Sequence, residues 1–322
     1  MLLRKKYGFV GDLPDVSLSA QRTRYPIQPA ILADTMDANF DFDHLARDLS
    51  AEARGLTRLF FTMVHAEQKS LGAAAGRMRG SKGGVGKVAV ARRMKRFRAA
   101  VINSPALLAD ETWGSDGGRF VLATLGKLDR ALADETPNFN EPTIILLEYS
   151  FQTGDPPPCK VSVACTFPGH SIARWFERAA PHGLRTTEGL IQEMRQLVQD
   201  DDFLFRWQCT RIATEVGTAG LGDRLAMLSP TTGGAWITSV ARLETPAHRE
   251  GWTDELEPEP ELFVHTYFGG PEMTTAQAEN VEGLRRFRDD NISLIDMTAE
   301  DWPKSKLDQL AEITNSAIWE PK

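Results

Sequence analysis

What this chain lacks narrows its options before any motif is weighed. No run of about eighteen apolar residues occurs, and no basic stretch leads into an apolar one near the start. Neither a membrane span nor a secretion signal is therefore expected, and the cytoplasm is the expected location. Cysteine is scarce: Cys159, Cys165 and Cys209 are the three in 322 residues, with no CxxC spacing and no histidine at zinc-ligand spacing. A sparse, odd set does not make a disulfide framework, so these read as small buried hydrophobes. The acidic groups Asp41 with Asp43, Asp200 to Asp202, and Asp289 with Asp290 fall where helices are expected to end, and read as caps and solubility charges. Neither a bound metal nor a cofactor is expected. The chain also has no serine elbow, no HExxH and no GxGxxG, which removes the footing for serine-hydrolase, zinc-protease and dinucleotide chemistry.

One further absence is local. The formal net charge is −7, yet Arg77, Arg79, Lys82, Lys87, Arg92, Arg93, Lys95, Arg96 and Arg98 follow one another without a single acid among them. Such a density repels itself unless water or a polyanion surrounds it, so the choice lies between a solvated basic helix and a nucleic-acid contact. We expect these nine residues to hold a nucleic-acid backbone, RNA or DNA, with Arg92, Arg93, Lys95 and Arg96 on a solvated face. Within the segment, Lys82-Gly83-Gly84-Val85-Gly86-Lys87 resembles the deviant Walker A loop of the ParA and MinD ATPases, a resemblance that implies backbone amides and two lysines around phosphates. It departs from that family at Val88, where the family has a Mg²⁺-holding Ser or Thr, and at Ser70 to Gly80, where the family has a buried strand. The alternative is a Gly-rich loop leading into a basic helix.

The second stretch that asks for an explanation is Lys160 to Ala180, KVSVACTFPGHSIARWFERAA: a β-rich run, a Pro-Gly stop, and a helix that opens on a histidine. His170, Arg174 and Arg178 recur every four residues, so a helix stacks an imidazole and two guanidiniums along one face while Ile172, Trp175 and Phe176 take the other. A helix built this way looks made to meet an anion. On the alternative, His170 merely opens the helix, Arg174 pairs with Glu177, and Arg178 is a solvated cation at the helix end.

The order of this strand, the HSIARWFER helix, a second helix and strands ending in LFVHTYF resembles the toxin-like RelE, barnase and EndoU nucleases, and the HAxxRMxER helix of BrnT-like domains in particular, over residues 165 to 268. His170, Arg174 and Arg178 fall on the His and Arg positions of that helix, with Trp175 in place of Met, and His265 lies in the last strand, where such folds place site residues. The resemblance implies a metal-independent ribonuclease. His170 and His265 would exchange protons with the attacking 2′-oxygen and leaving 5′-oxygen, with His182 as substitute, and Arg174 and Arg178 would bind phosphoryl oxygens. The rival is a non-catalytic nucleic-acid-binding or assembly protein of a phage or mobile element.

For the fold, apolar residues at Leu45, Leu49, Leu56, Leu59, Phe60, Met63 and Val64 predict a helix from Phe42 to about Leu71, open to a break at Gly55, with His44 and His65 structural or exposed. The same logic predicts a helix from Gly118 to Ala133. Thr143 to Ser150 and Lys160 to Phe167 predict an antiparallel hairpin. Thr186 and Thr187 predict a helix start, and Phe203 to Thr210, Leu225 to Leu228, Ala235 to Leu243 and Leu262 to Phe268 predict strands. Residues 1 to 40 read as an irregular arm with a short strand at Tyr7 to Val10, and 271 to 322 as a helical cover. The class expected is α+β: a mainly helical part over 1–140 holding the basic segment, and a 141–322 part with helices packed on an antiparallel sheet.

Overall fold

The computed structural model of the chain describes residues 27–29, 49–79, 86–113, 117–130, 139–154, 159–179, 182–198, 227–241, 261–296 and 301–315. The strands expected at Tyr7 to Val10 and Phe203 to Thr210, together with His44, Lys82, Cys209, Asp41, Asp43 and Asp200 to Asp202, lie outside these residues.

The fold is α+β. Among the described residues eight strands share one sheet: β1 Ile27–Pro29, β2 Leu107–Thr112, β3 Gly117–Arg130, β4 Phe139–Gln152, β5 Cys159–Pro168, β6 Met227–Pro230, β7 Gly234–Ala241 and β8 Glu261–Gly269. The helices are α1 Ala51–Arg79, α2 Lys87–Val101, α3 Gly169–Arg178, α4 Thr187–Leu197, α5 Thr275–Asn291 and α6 Lys304–Asn315. Strand order is β1-β3-β4-β5-β8-β7-β6, with β2 beside β3. The sheet is mixed through one short parallel pairing, Cys165 opposite Leu262 and Thr166 opposite Phe263, which joins β5 to β8. β3 and β4 pair from Gly117 opposite Gln152 to Arg130 opposite Phe139, so the sheet runs through the position of the division expected at residue 140.

The expected helix at Gly118 to Ala133 is instead β3. Phe120, Val121, Leu122 and Ala123 are all buried, one after another, because the strand lies in the sheet with core on both faces. A strand buried on both faces is continuously apolar, and such a run also satisfies helical spacing. The expected β4–β5 hairpin is present, with Leu146 opposite Cys165 and Tyr149 opposite Val161. α1 continues unbroken through Gly55, and its buried row takes in Phe60, Phe61 and Val64 but leaves Leu59 exposed. α4 begins as its threonines suggest: the Thr186 hydroxyl accepts from the Gly189 amide at 3.0 Å.

Two cores form because β7 alternates its side chains between two faces. Trp236 joins Phe167, Trp175 and Tyr267 in the main core with α1, α2, α3 and α4, while Ala235 and Ile237 face Val281, Leu284 and Phe287 of α5 and Leu310 of α6. Burial pushes the Tyr267 phenol up, above its ordinary range, despite the Thr231 hydroxyl 3.2 Å away. α3 sits inside this arrangement, with Ile172, Trp175 and Phe176 fully buried as its apolar spacing predicts.

Candidate functional site

α3 follows β5 directly: Pro168 ends the strand and Gly169 starts the helix. Beyond its two pairs with β5, therefore, the edge of β8 faces α3 and not a strand, and the carbonyls along that edge need donors from somewhere else. α3 supplies them. His170 Nε2 meets the carbonyl oxygen of His265, and an Arg178 terminal nitrogen lies 3.4 Å from the carbonyl of Tyr267. His265 is the extra residue of a β-bulge, where the register passes from Ile237 opposite Thr266 to Thr238 opposite Val264. Its ring is exposed and rests against Phe263, so His265 offers His170 its backbone and not its imidazole.

The other ring nitrogen of His170 is taken as well. Nδ1 lies 2.6 Å from Glu141 Oε1, and the same oxygen accepts the backbone amide of His170 at 2.8 Å. The Glu141 side chain is 1% exposed, that of His170 31%. A carboxylate at the first turn of a helix is where the helix dipole favours negative charge. His170 thus faces a carboxylate of the chain itself.

Arg178 is half-buried. Burial pulls its guanidinium below the ordinary value, and Glu272 works against that; Nε stands 3.1 Å from Glu272 Oε2, near enough for an ion pair but off the line of a hydrogen bond. Arg174, also half-buried, feels Glu177 and repels Arg178. Glu177 itself reaches the start of α1, where its Oε2 accepts from the Ser50 amide at 3.1 Å and the Ser50 hydroxyl at 2.7 Å. Chiefly the Ser50 hydroxyl holds this carboxyl below its usual range. His182 is exposed, 3.5 Å from Glu52, and His65 is exposed on α1.

The structure also sorts the basic segment. α1 runs to Arg79, so Arg77 and Arg79 belong to its last turn and a helix, not a strand, precedes the Gly-rich segment. Gly86 caps α2 and Lys87 is its first residue. Val90, Arg93, Met94, Phe97 and Val101 form the buried face of α2. Arg93 therefore leaves the solvated set in which sequence reasoning placed it: it lies three residues after Val90 and four before Phe97, on the core side. Arg98 is paired with Asp110 at 2.7 Å. Arg92, Lys95 and Arg96 are exposed, and among the described residues no acid bonds to them.

No family model, curated protein or solved structure matches this chain. The likeness of 165 to 268 to the toxin nucleases thus rests on the sequence alone, on its order of elements and its HSIARWFER helix.

Two residues that no motif signalled hold the surroundings in place. Glu141 is one. The other is Arg119, which is 0% exposed: its Nε donates to Glu148 at 2.9 Å, one terminal nitrogen to Glu111 at 3.1 Å, and the other to the Val198 carbonyl at 3.0 Å. It ties β2, β3 and β4 to the end of α4. An arginine inside the strand run GGRFVLATL was the available signal, since a cation there must be paired to be buried.

Proposed function

We propose that this chain is a non-catalytic nucleic-acid-binding protein that grips the phosphate backbone through α2. One observation carries the proposal: Arg92, Lys95 and Arg96, at i, i+3 and i+4, share an exposed face on which no acid of the described residues neutralises them. Three positive charges held side by side on a packed helix lose little freedom when they meet phosphates. Gripping is favoured over cutting by the state of His170. A ribonuclease needs that imidazole to take or give a proton at the substrate, and both ring nitrogens already face acceptors of the chain.

The test is binding of labelled oligonucleotides from about 50 to 200 mM salt, wild type beside the triple variant Arg92→Gln, Lys95→Gln, Arg96→Gln. On duplex DNA the logarithmic salt slope should fall by up to about 0.9 for each phosphate that the variant no longer neutralises. An unchanged slope and affinity in the folded variant would sink the proposal. Cleavage of RNA by wild type in EDTA, abolished in His170→Ala, would restore the ribonuclease in its place.

A further inference from the structure

The exposed face of α2 says more than that it is cationic, because what lies between the charges selects the form of nucleic acid. We infer that α2 is built to enter the major groove of duplex DNA; the inference rests on the binding role proposed above and names its ligand. Three observations support it. The exposed uncharged neighbours of the cations on α2 are Val88, Ala91, Ala99 and Ala100, all short, so no long or aromatic side chain of this helix rises between the cations and what it approaches. The one aromatic residue of α2, Phe97, is fully buried against Phe120, Tyr149 and Phe151, which leaves this helix no ring on which an unpaired base could stack. Single-strand binders depend on such rings. The apolar face of α2 is already spent on the core, which removes the alternative use of a basic amphipathic helix, insertion at a lipid surface.

Geometry then separates DNA from RNA. A 15-residue helix spans about 22 Å and is about 10 to 12 Å across, which matches the roughly 12 Å width of the B-form major groove. The A-form major groove of RNA is deep and too narrow to admit it. Four residues of helix advance about 6 Å, so Arg92 and Arg96 reach along the groove while Lys95 lies between them. Arg98 is directed to Asp110 and takes no part.

The experiment compares one sequence as duplex DNA, single-stranded DNA and duplex RNA at equal salt, using the full chain and two variants. The first variant is the triple Gln change. The second, Ala91→Leu with Ala99→Leu, adds bulk and no charge at exposed positions, and circular dichroism confirms that it folds. Duplex DNA is expected to bind at least about tenfold tighter than either other ligand, and the Leu variant to lose about tenfold on duplex DNA alone. Equal or tighter binding of single strands or RNA, still weakened by the Gln changes, would overturn the groove inference and leave the backbone grip standing. So would a Leu variant that binds duplex DNA as wild type does. Failure of wild type to bind all three ligands, or indifference of all three to the Gln changes, would mean that the grip itself had been misassigned, and the groove with it.

Discussion

A single oxygen of Glu141 serves His170 twice, standing 2.6 Å from its ring Nδ1 and 2.8 Å from its backbone nitrogen. The carboxylate comes from β4 and the imidazole from the start of α3, so the pair fastens the helix to the sheet at the point where the strand before it stops. Hydrogen bonds to charged groups contribute about 1.5–3 kcal/mol. Glu141→Ala, which removes both bonds, is expected to lower the unfolding free energy by about 3 kcal/mol in urea titrations. Glu141→Gln keeps an oxygen for the amide and should lose about half as much. Equal losses would show that the charge, and not the position of the oxygen, carries the attachment.

Acid should loosen the junction of α1 and α3. Glu177 is held below its usual value chiefly by the Ser50 hydroxyl. A carboxyl depressed in the folded state adds stability that is fully present above its unfolded pKa, about 4.3, and is lost as pH falls through the folded value. Stability measured downward from pH 5 should therefore decline in wild type and decline less in Ser50→Ala. Parallel curves for the two proteins would remove Glu177 from the acid response.

Arg119 is a charge that the fold must keep paired. It is fully buried with Glu148 and Glu111 as partners, and removing one member of a buried ion pair costs about 3–5 kcal/mol because the other is left without its counter-charge. Arg119→Met should lose that much, and adding Glu148→Met should recover part of it. A double variant less stable than the single one would contradict this account.

Gly269 marks the place where β8 passes the end of α3. A methyl group there would meet the Arg178 carbonyl oxygen at 2.2 Å, and a backbone atom cannot swing aside. Overpacking of this kind costs about 1–3 kcal/mol. Gly269→Ala should lower the melting temperature, whereas Gly55→Ala, with nothing within 4 Å, should not. A neutral Gly269→Ala would show that α3 can slide on the strand.

What sequence reasoning recovered was local. The apolar face of α3 at Ile172, Trp175 and Phe176, and the threonine cap of α4, depend on spacings within one element, and both are present. Arg93 was as legible: its place between Val90 and Phe97 put it on the core side, but charge counting outweighed periodicity. β3 was not, because a run buried on both faces carries no period. The partners of His170 were out of reach for another reason. Glu141 is 29 residues away and the His265 carbonyl 95, and a backbone carbonyl leaves no mark in side-chain identity. Of the two histidines and two arginines read as a candidate site, His170 and Arg178 each reach a backbone carbonyl of β8.

The short parallel pairing between β5 and β8 also sets an order of assembly. β2 to β5 follow one another closely in sequence and can pair early, whereas β8 must bridge a long intervening chain to find β5, a costlier closure that topology places late. The bond from His170 to the His265 carbonyl exists only after that docking. Local opening retraces the same route, so amides of β7 and β8 should exchange with deuterium sooner than those of β3 and β4. The α3–β8 seam is then expected to open before the β3–β4 ladder does.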